Sequence, residues 1–389
     1  MISSLPSWGS RHRHERSLKR FPTGRGWIRA EPASGSLLVR GSETVSVSDL
    51  SGNRSLRPIP VVAPGRCVHA LSPIASCRRC VDACPTNAWV LNDESLGLRE
   101  DLCDGCGLCA AACPEEAIEG IRPQVLQAIA KPDLALAACE RGDVGTGPGV
   151  LPCLHALGLG DLVRLYNTGI RRLILSRGDC ETCSRGHTGA FAQAVAHVND
   201  LLADRALPPL IATELPAAEW RAEAIFAREP NRRALFSTLR KLAVSAAVVE
   251  DNANPAVAMQ LAQWQRSRLV PVGPVIDEAR CEACHACVRI CPHQVITMAS
   301  ATADAAAYEI DALRCTGCRL CVDTCEADAI TLREWHRNTI TRLPLDELRC
   351  EACGNPYYSL RKSRADQNLC RICSRNNHYT KLFQVLECG

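Results

Sequence analysis

The sequence has few aromatic residues, no long apolar run and little net charge. Phe, Trp and Tyr make up 4% of the 389 residues, so large aromatic side chains contribute little to any core. No segment approaches the roughly 18 consecutive apolar residues that a membrane helix needs, so no membrane span is predicted. The formal net charge is +3, which gives no global field that would favour nucleic acid or an acidic partner.

The first residues also lack the apolar stretch of a secretory signal, because MISSLPSWGSRHRHERSLKR is basic and polar. Cysteine, by contrast, is abundant: there are 25, an odd number in a long chain. Disulfide scaffolds are typical of short secreted domains. We therefore favour thiolates held on metals in a reducing compartment, and we expect a cytoplasmic location.

Four segments of similar sequence decide the expected fold. They are ASCRRCVDACPTNAWV from Ala75, CDGCGLCAAACPEEAI from Cys103, CEACHACVRICPHQVI from Cys281 and CTGCRLCVDTCEADAI from Cys315. In the run C-x2-C-x2-C-x3-C-P, three thiolates bind one cubane cluster and the fourth ligates the neighbouring cluster. The proline stops the local helix and turns the fourth cysteine toward the other cube. The motifs form two tandem pairs, which predicts two modules and four [4Fe–4S] clusters.

These motifs closely resemble the bacterial-type two-cluster ferredoxin family, over about 110 residues in two blocks. In the second module, the resemblance implies that one cluster takes Cys281, Cys284, Cys287 and Cys325. Its partner would take Cys315, Cys318, Cys321 and Cys291. In the first module, one cluster would take Cys103, Cys106, Cys109 and Cys84. Glu326 stands where the family usually has proline, which should not cost a ligand.

The remaining ligand set of the first module is incomplete. Cys77, Cys80 and the crossing Cys113 supply three thiolates, but Ile74 occupies the first position of the motif and cannot ligate. Cys67 lies ten residues upstream of Cys77 and could loop back as the fourth ligand. We favour Cys67, because a free cysteine beside a cluster would be a reactive liability. The alternative is a [3Fe–4S] cluster, or a labile site, with Cys67 unbound.

The region between the two pairs of motifs alternates strand and helix patterns. Strands are predicted at Asp133–Cys139, Arg171–Cys180 and Pro209–Leu215, with helices at Leu154–Gly169 and 188–207. This order implies a small parallel sheet with right-handed crossovers. The glycine-rich loop that follows the first strand does not match G-x-G-x-x-G, so no flavin or nicotinamide site is predicted.

Four cysteines of this region should meet at the carboxyl edge of that sheet, where such folds place their sites. Cys139 ends the first strand, Cys153 opens the intervening helix, and Cys180 and Cys183 follow the second strand. The layout resembles the small iron–sulfur (delta) subunit of methyl-viologen-reducing hydrogenases over about 80 residues, which implies a [2Fe–2S] cluster. Zinc, a redox-active dithiol at Cys180 and Cys183, and unliganded structural cysteines are the alternatives.

The end of the chain carries two further cysteine pairs. Cys350 with Cys353 and Cys370 with Cys373 are separated by 16 residues, which is a zinc-ribbon spacing. Four thiolates with no open position indicate a structural zinc, with mononuclear iron as the runner-up. The basic run at 361–364 is interpreted as a solvated hairpin tip or docking patch in preference to a nucleic-acid contact.

The predicted fold class is multidomain α/β and α+β. Two two-cluster ferredoxin-like modules flank a small parallel α/β domain that joins them, and a zinc ribbon-like tail follows. The predicted parts are a largely disordered segment (1–64), the first module (65–123), the central domain (124–250), a linker (251–272), the second module (273–337) and the tail (338–389).

The favoured function is iron–sulfur electron transfer, as the relay subunit of a cytoplasmic multisubunit oxidoreductase. Its partners would be redox enzyme subunits that serve as electron donor and acceptor. No general acid, base or nucleophile constellation is apparent, so no catalytic residue is assigned. Two alternatives stay open: a catalytic oxidoreductase that uses the central cysteine site, and an iron–sulfur sensor that contacts nucleic acid through the ribbon and the basic N-terminus.

Overall fold

The structure is a computed structural model that describes residues 58–92, 96–186, 189–228, 256, 260–261, 264, 269–300, 306–337, 340–360 and 368–375. Most of the predicted disordered segment, most of the predicted linker and the basic run at 361–364 lie outside these ranges. Among the helices that are described, none combines the length and the apolar character that a membrane crossing requires.

The first module consists of short elements, because each motif wraps its cysteines within a few residues. Its helices are α1 (Val68–Leu71), α2 (Arg79–Asp82) and α3 (Leu108–Ala112). Its strands are β1 (Val61–Val62), β2 (Trp89–Leu91), β3 (Leu96–Leu98) and β4 (Ile118–Glu119). Strand β1 pairs with β4, and β2 pairs with β3, both antiparallel. Strand β1 therefore lies upstream of residue 65, the predicted start of this module.

The central domain is an α/β unit, as its sequence pattern predicts. Its strands are β5 (Leu126–Gln127), β6 (Leu134–Cys139), β7 (Val150–Leu151), β8 (Arg172–Ser176) and β9 (Ile211–Glu214). Its helices are α4 (Leu159–Asn167), α5 (Ala190–Asp204) and α6 (Ala217–Arg228). Strands β6, β8 and β9 are parallel, β7 adds a short parallel pairing to β6, and β5 is antiparallel.

The two faces of this sheet are covered by different helices. Helices α4 and α5 pack on one face through residues such as Leu162, Val198 and Leu202. Helix α6 packs on the other face, where Trp220 lies against Leu136. Because both faces are covered, β6 is buried along its whole length, which explains its unbroken apolar sequence.

The predicted helix at Leu154–Gly169 is divided in the structure. A 3₁₀ turn at Leu154–Ala156 precedes α4, and the Gly158 N–H donates to the Asp161 carboxylate at 3.2 Å, which caps α4 at its start. A side chain at Gly158 would lie 2.9 Å from the carbonyl oxygen of Ala111. The break therefore lets the central domain approach helix α3 of the first module closely.

The second module and the tail share a sheet. The module has strands β10 (Leu269–Ile276), β11 (Ile296–Ser300), β12 (Ala306–Ile310) and β13 (Ile330–Arg337) and helices α7 (Ala286–Ile290) and α8 (Leu320–Asp323). The tail has strands β14 (Thr341–Arg349) and β15 (Pro356–Leu360) and helix α9 (Arg371–Arg375). Strand β10 pairs with β13, and the other four strands form one sheet in the order β11-β12-β14-β15.

The tail is thus continuous with the second module, whereas the sequence predicts a domain boundary at residue 338. Leu343 and Leu345 of β14 explain the difference, since both are buried in the core of the second module. The alternation of apolar and polar residues in β14 is the strand pattern that makes this pairing possible. Strand β10 begins at Leu269, inside the predicted linker.

Candidate iron–sulfur and metal sites

All four ferredoxin motifs close with the same turn after their last cysteine. Three residues beyond that cysteine the backbone is left-handed, with φ of 52° at Asn87, 49° at Glu116, 52° at Gln294 and 45° at Asp328. Four residues beyond it, an N–H donates to the cysteine Sγ at 3.3–3.4 Å, from Ala88, Ala117, Val295 and Ala329. Such hydrogen bonds favour the thiolate and tune the potential of a cluster held on it.

The second module brings its predicted ligands together in two groups. One group, which we call the Cys281 site, lines a cavity of about 120 Å³ and comprises Cys281, Cys284, Cys287 and Cys325. The other, the Cys315 site, lines a smaller cavity and comprises Cys291, Cys315, Cys318 and Cys321. Burial and the three neighbouring thiols raise the pKa of Cys287 to about 12. Burial and the neighbouring thiols therefore keep Cys287 protonated in the absence of a cation, and a bound metal centre would supply the positive charge that lets it ionise.

The first module contains a matching pair of groups. In the Cys103 site (Cys84, Cys103, Cys106 and Cys109), burial raises the pKa of Cys109 to about 11, and the nearby Cys84 and Cys103 thiols add to this shift. In the Cys67 site (Cys67, Cys77, Cys80 and Cys113), burial raises the pKa of Cys80 to about 12. The Cys113, Cys77, Cys109 and Cys67 thiols all contribute to the Cys80 shift, so Cys67 lies near this group.

The surroundings of Cys67 differ from those of Ile74, the residue at the usual ligand position. Cys67 is buried and caps the start of α1, whose His69 ring nitrogen lies 2.6 Å from the Cys77 carbonyl oxygen. Ile74 is 49% exposed. The other three motifs have left-handed residues two and four positions after their first cysteine, but Ser76 and Arg78 are not left-handed. The first motif has therefore lost the loop that normally presents the first ligand.

The central domain also gathers its four predicted cysteines. Cys139, Cys153, Cys180 and Cys183 line one cavity at the carboxyl edge of the parallel strands, together with Arg141, Arg177 and Arg185. Arg141 lies 3.6 Å from the Cys183 sulfur. Burial raises the pKa of Cys153 to about 11. Arg177 pairs with Glu214, so Arg141 is the arginine whose charge would stabilise an anionic tetrathiolate centre here. We call these four cysteines the central site.

The four tail cysteines are closer together than those of any other site. The sulfurs of Cys350, Cys353, Cys370 and Cys373 all lie within 4.8 Å of one another, and those of Cys353 and Cys370 are 3.9 Å apart. A tetrahedral zinc with Zn–S bonds of about 2.3 Å separates its sulfurs by about 3.8 Å. The Cys370 N–H, which donates to the Cys350 sulfur at 3.2 Å, lowers the pKa of Cys350 to about 6. These four cysteines, which we call the ribbon site, therefore fit a single ion.

The other cysteine groups do not have this compactness. In the described part of the chain, the ribbon is the one set of cysteine, histidine or carboxylate ligands whose atoms are all within 4.8 Å.

The two ferredoxin modules contact each other directly. Glu115 of the first module lies 2.8 Å from the Nε2 atom of His293 and accepts a hydrogen bond from the Thr316 hydroxyl. Ser76 donates from its N–H and its hydroxyl to the Asp323 carboxylate at 2.8 and 2.7 Å. The central domain also contacts the second module, because Asp204 accepts a hydrogen bond from the Leu269 N–H at 2.8 Å and pairs with Arg337 at 2.9 Å. The central domain therefore touches both modules, as a connector would, and the direct contact between the modules adds to this arrangement.

These contacts place the sites in a series. Cys153 of the central site is buried with Cys106 of the Cys103 site. Cys109 of the Cys103 site contributes to the raised pKa of Cys80, so the two sites of the first module are neighbours. Cys77 packs in one apolar cluster with Cys318 of the Cys315 site. The series ends at the Cys281 site, whose Cys287 contributes to the raised pKa of Cys321.

Arg185 is a site residue that sequence reasoning missed. Its side chain is 2% exposed, and its guanidinium donates to Asp104 at 2.7 Å, to Glu140 at 3.2 Å and to the Pro152 carbonyl. Asp104 lies between two ligands of the Cys103 site, so Arg185 joins that loop to the central site. Burial raises the pKa of Asp104 and Arg185 lowers it, with a net lowering. The sequence feature that could have identified Arg185 is its position two residues after the Cys180 and Cys183 pair.

Comparison with known proteins agrees with this description of the modules. Residues 75–118 match the model of a 4Fe–4S dicluster domain, and residues 280–329 match a second such model, with an overlapping match at 314–356. The chain therefore contains two 4Fe–4S dicluster ferredoxin domains and falls in the class of iron–sulfur proteins.

Curated relatives match parts of the chain. Hydrogenase-4 component A of Escherichia coli is 36% identical over 83 residues, which cover 20% of this chain and 40% of that protein. Ferredoxin-type protein NapF of E. coli is 45% identical over 47 residues, covering 11% and 29%. Pyruvate synthase subunit PorD of Thermotoga maritima is 38% identical over 63 residues, covering 14% and 63%. The chain thus spans less than two thirds of the length of each.

Proposed function

We propose that this protein is an iron–sulfur electron relay, a subunit of a multisubunit oxidoreductase located in the cytoplasm. The observation that carries the proposal is the continuous series of buried cysteine sites, from the central site through the first module to the second. Relatives named as a hydrogenase component and as a pyruvate synthase subunit support the assignment to a redox assembly.

Four cubane sites follow from the ligand groups. The Cys281, Cys315 and Cys103 sites each offer four cysteines grouped as the ferredoxin resemblance implies. For the Cys67 site, the burial of Cys67 and its proximity to Cys80 support its role as the fourth ligand. A [4Fe–4S] cluster takes up and releases one electron when bound. The protein buries the cysteine sulfurs, donates backbone N–H hydrogen bonds to them and keeps neighbouring sites close together.

For the central site we propose a [2Fe–2S] cluster. Its sulfurs are too widely spaced for the compact single-ion geometry of the ribbon, which argues against zinc. The resemblance to the hydrogenase delta subunit points to the same two-iron cluster. Arg141, 3.6 Å from the Cys183 sulfur, favours the more negative, reduced state of any centre bound there, and so raises its reduction potential.

The proposal is tested by purifying the full chain anaerobically with its natural partners. Co-purification with a flavin, molybdenum or nickel subunit is expected for a relay. Retention on nucleic acid that weakens steeply with salt, without a redox partner, would instead identify an iron–sulfur sensor.

A cavity beside the central site favours a second candidate, a catalytic oxidoreductase. This cavity of about 290 Å³ has largely apolar walls that include Phe191 and Val195, and it shares Leu154, His155 and Arg177 with the central site. A small organic substrate bound there would lie next to the redox centre. Phe191→Trp would fill the cavity. If Phe191→Trp abolishes oxidoreductase turnover while the cluster spectrum stays intact, the result supports catalysis in this cavity. If turnover is unchanged, the result supports the relay function.

A further inference from the structure

The ribbon contacts the Cys281 site through a pair of arginines. Helix α9 begins directly after Cys370 and contains Cys373, and it also carries Arg371 and Arg375. Arg375 lies 2.8 Å from Glu282 and 2.6 Å from Glu326. Arg371 lies 3.2 Å from Glu282 and also donates to Glu326. Both carboxylates thus contact both guanidinium groups.

The two glutamates lie beside cluster ligands. Glu282 follows Cys281, and Glu326 follows Cys325, and both glutamates line the same cavity as these cysteines. Arg371 itself forms part of the cavity wall. The network also explains why Glu326 replaces proline: the other three motifs keep Pro85, Pro114 and Pro292 at this position, and the structure describes no helix α9 counterpart against them.

We infer that the ribbon is a metal-dependent cover for the Cys281 site, docked through Glu282 and Glu326. The five residues of α9 are too few to hold a helix in water by themselves. Coordination of one ion by Cys350, Cys353, Cys370 and Cys373 ties the first turn of α9 to the loop between β14 and β15. This holds Arg371 in the cavity wall and Arg375 on the two glutamates. Loss of the ion frees the arginines and opens the cavity to solvent.

The inference rests on the assignment of a cubane to the Cys281 site, and the experiment separates the two claims. Three variants of the full-length, anaerobically reconstituted protein are compared with wild type. Cys353→Ala removes a ribbon ligand, Glu282→Gln combined with Glu326→Gln removes the docking charges, and Asp328→Asn is the control. Asp328 pairs with Arg280 on the same module at 3.4 Å, and no ribbon residue is involved.

Bathophenanthroline disulfonate, a water-soluble Fe(II) chelator, is added to the reduced proteins and iron release is followed by absorbance. In Cys353→Ala and in the double variant Glu282→Gln with Glu326→Gln, we expect one cluster in four, roughly a quarter of the cubane iron, to be released faster than in wild type. The rate of release should rise about two- to fivefold, which is the size of effect that the loss of surface ion pairs allows. Asp328→Asn should match wild type, and elemental analysis should show zinc lost from Cys353→Ala.

Unchanged iron release in either test variant overturns the inference, as does zinc retained by Cys353→Ala. Equal acceleration of all the iron overturns it as well, because it indicates general unfolding. A failure of the cluster assignment looks different, since the wild-type protein would then lack one cubane's iron before any chelator is added.

Discussion

Glu115 and His293 occupy equivalent positions in two different ferredoxin motifs, and they face each other at 2.8 Å across the contact between the two modules. Each follows the last cysteine of its motif by two residues, Glu115 after Cys113 and His293 after Cys291. The modules therefore meet through corresponding turns of the repeat. Because Cys113 and Cys291 are cluster ligands in the proposed assignment, this contact joins the Cys67 site to the Cys315 site.

Glu115→Ala should weaken this contact. The change leaves the His293 ring and the Thr316 hydroxyl without their carboxylate acceptor, and burial of unsatisfied polar groups costs about 1–3 kcal/mol. We expect a lower midpoint of anaerobic urea unfolding. Glu119→Ala is the control, because Glu119 pairs with Arg66 inside the first module and is about half exposed. An equal loss of stability in both variants would show that the contact between modules has no special role.

Metal content tests the number of sites. Four cubanes, one two-iron cluster and one ribbon ion predict roughly 18 irons and one zinc per chain. Elemental analysis of the reconstituted protein measures both. Fewer than about eight irons after full reconstitution would rule out two dicluster modules that are both loaded.

Cys67→Ser should convert one cubane to a three-iron cluster. Ile74 offers no ligand at the facing corner, so the iron held there by Cys67 would be exposed to solvent and lost on oxidation. Electron paramagnetic resonance of the oxidised protein should show a new signal near the free-electron position. Ile74→Ala, which alters the usual ligand position without touching a thiol, should give no such signal.

The spectrum of the wild-type protein can also contradict the assignment of Cys67 as a ligand. If the wild-type protein already shows a stoichiometric three-iron signal that Cys67→Ser leaves unchanged, Cys67 is not a ligand. The corner at Ile74 would then be open in the native protein.

Arg185→Ala should loosen the central site from the first module. The change removes one donor to Asp104 and one donor to Glu140, and charged hydrogen bonds of this kind contribute about 2 kcal/mol. We expect lower stability together with an altered spectrum of the central cluster. Arg141→Ala, at an exposed arginine that lines the same cavity, should change the spectrum with a much smaller loss of stability. Equal stabilities for the two variants would contradict the bridging role of Arg185.

Cys370→Ser should release the ribbon ion while the visible absorbance of the clusters persists. The ribbon binds its ion with its own four thiolates, and Leu343 and Leu345 keep strand β14 packed on the second module without it. Zinc analysis and absorbance spectra of the same sample measure the two effects. A parallel loss of zinc and cluster absorbance would show that the ribbon ion is needed for the fold of the module.

The spacing of residues was sufficient to predict the motifs and the three parallel strands β6, β8 and β9, but it did not predict the antiparallel strand β5 or the short strand β7. Cysteine positions within a motif are local, and the alternation of strands and helices from Leu134 to Glu214 follows from apolar periodicity. The convergence of Cys139 and Cys153 was predictable because parallel strands end at a common edge.

What the sequence could not reveal depends on contacts between distant residues. The pairing of β14 with β12 decides where the second module ends, and nothing local to Leu343 identifies that partner strand. The contact of Ser76 with Asp323 joins residues separated by 247 positions. Glu326 was noticed only as a departure from proline, because its partners Arg371 and Arg375 lie on a helix too short to predict.

The direct contact between the modules also bears on how the protein is made. The Cys67 and Cys103 sites use ligands from a single short stretch, so they can be completed while the ribosome is still synthesising the rest of the chain. Asp323 and His293, which pack against that stretch, are translated much later. A first module that acquires its iron at that stage has one side still uncovered. We expect the cellular machinery that delivers clusters to reach the Cys67 site through that side before the second module closes it.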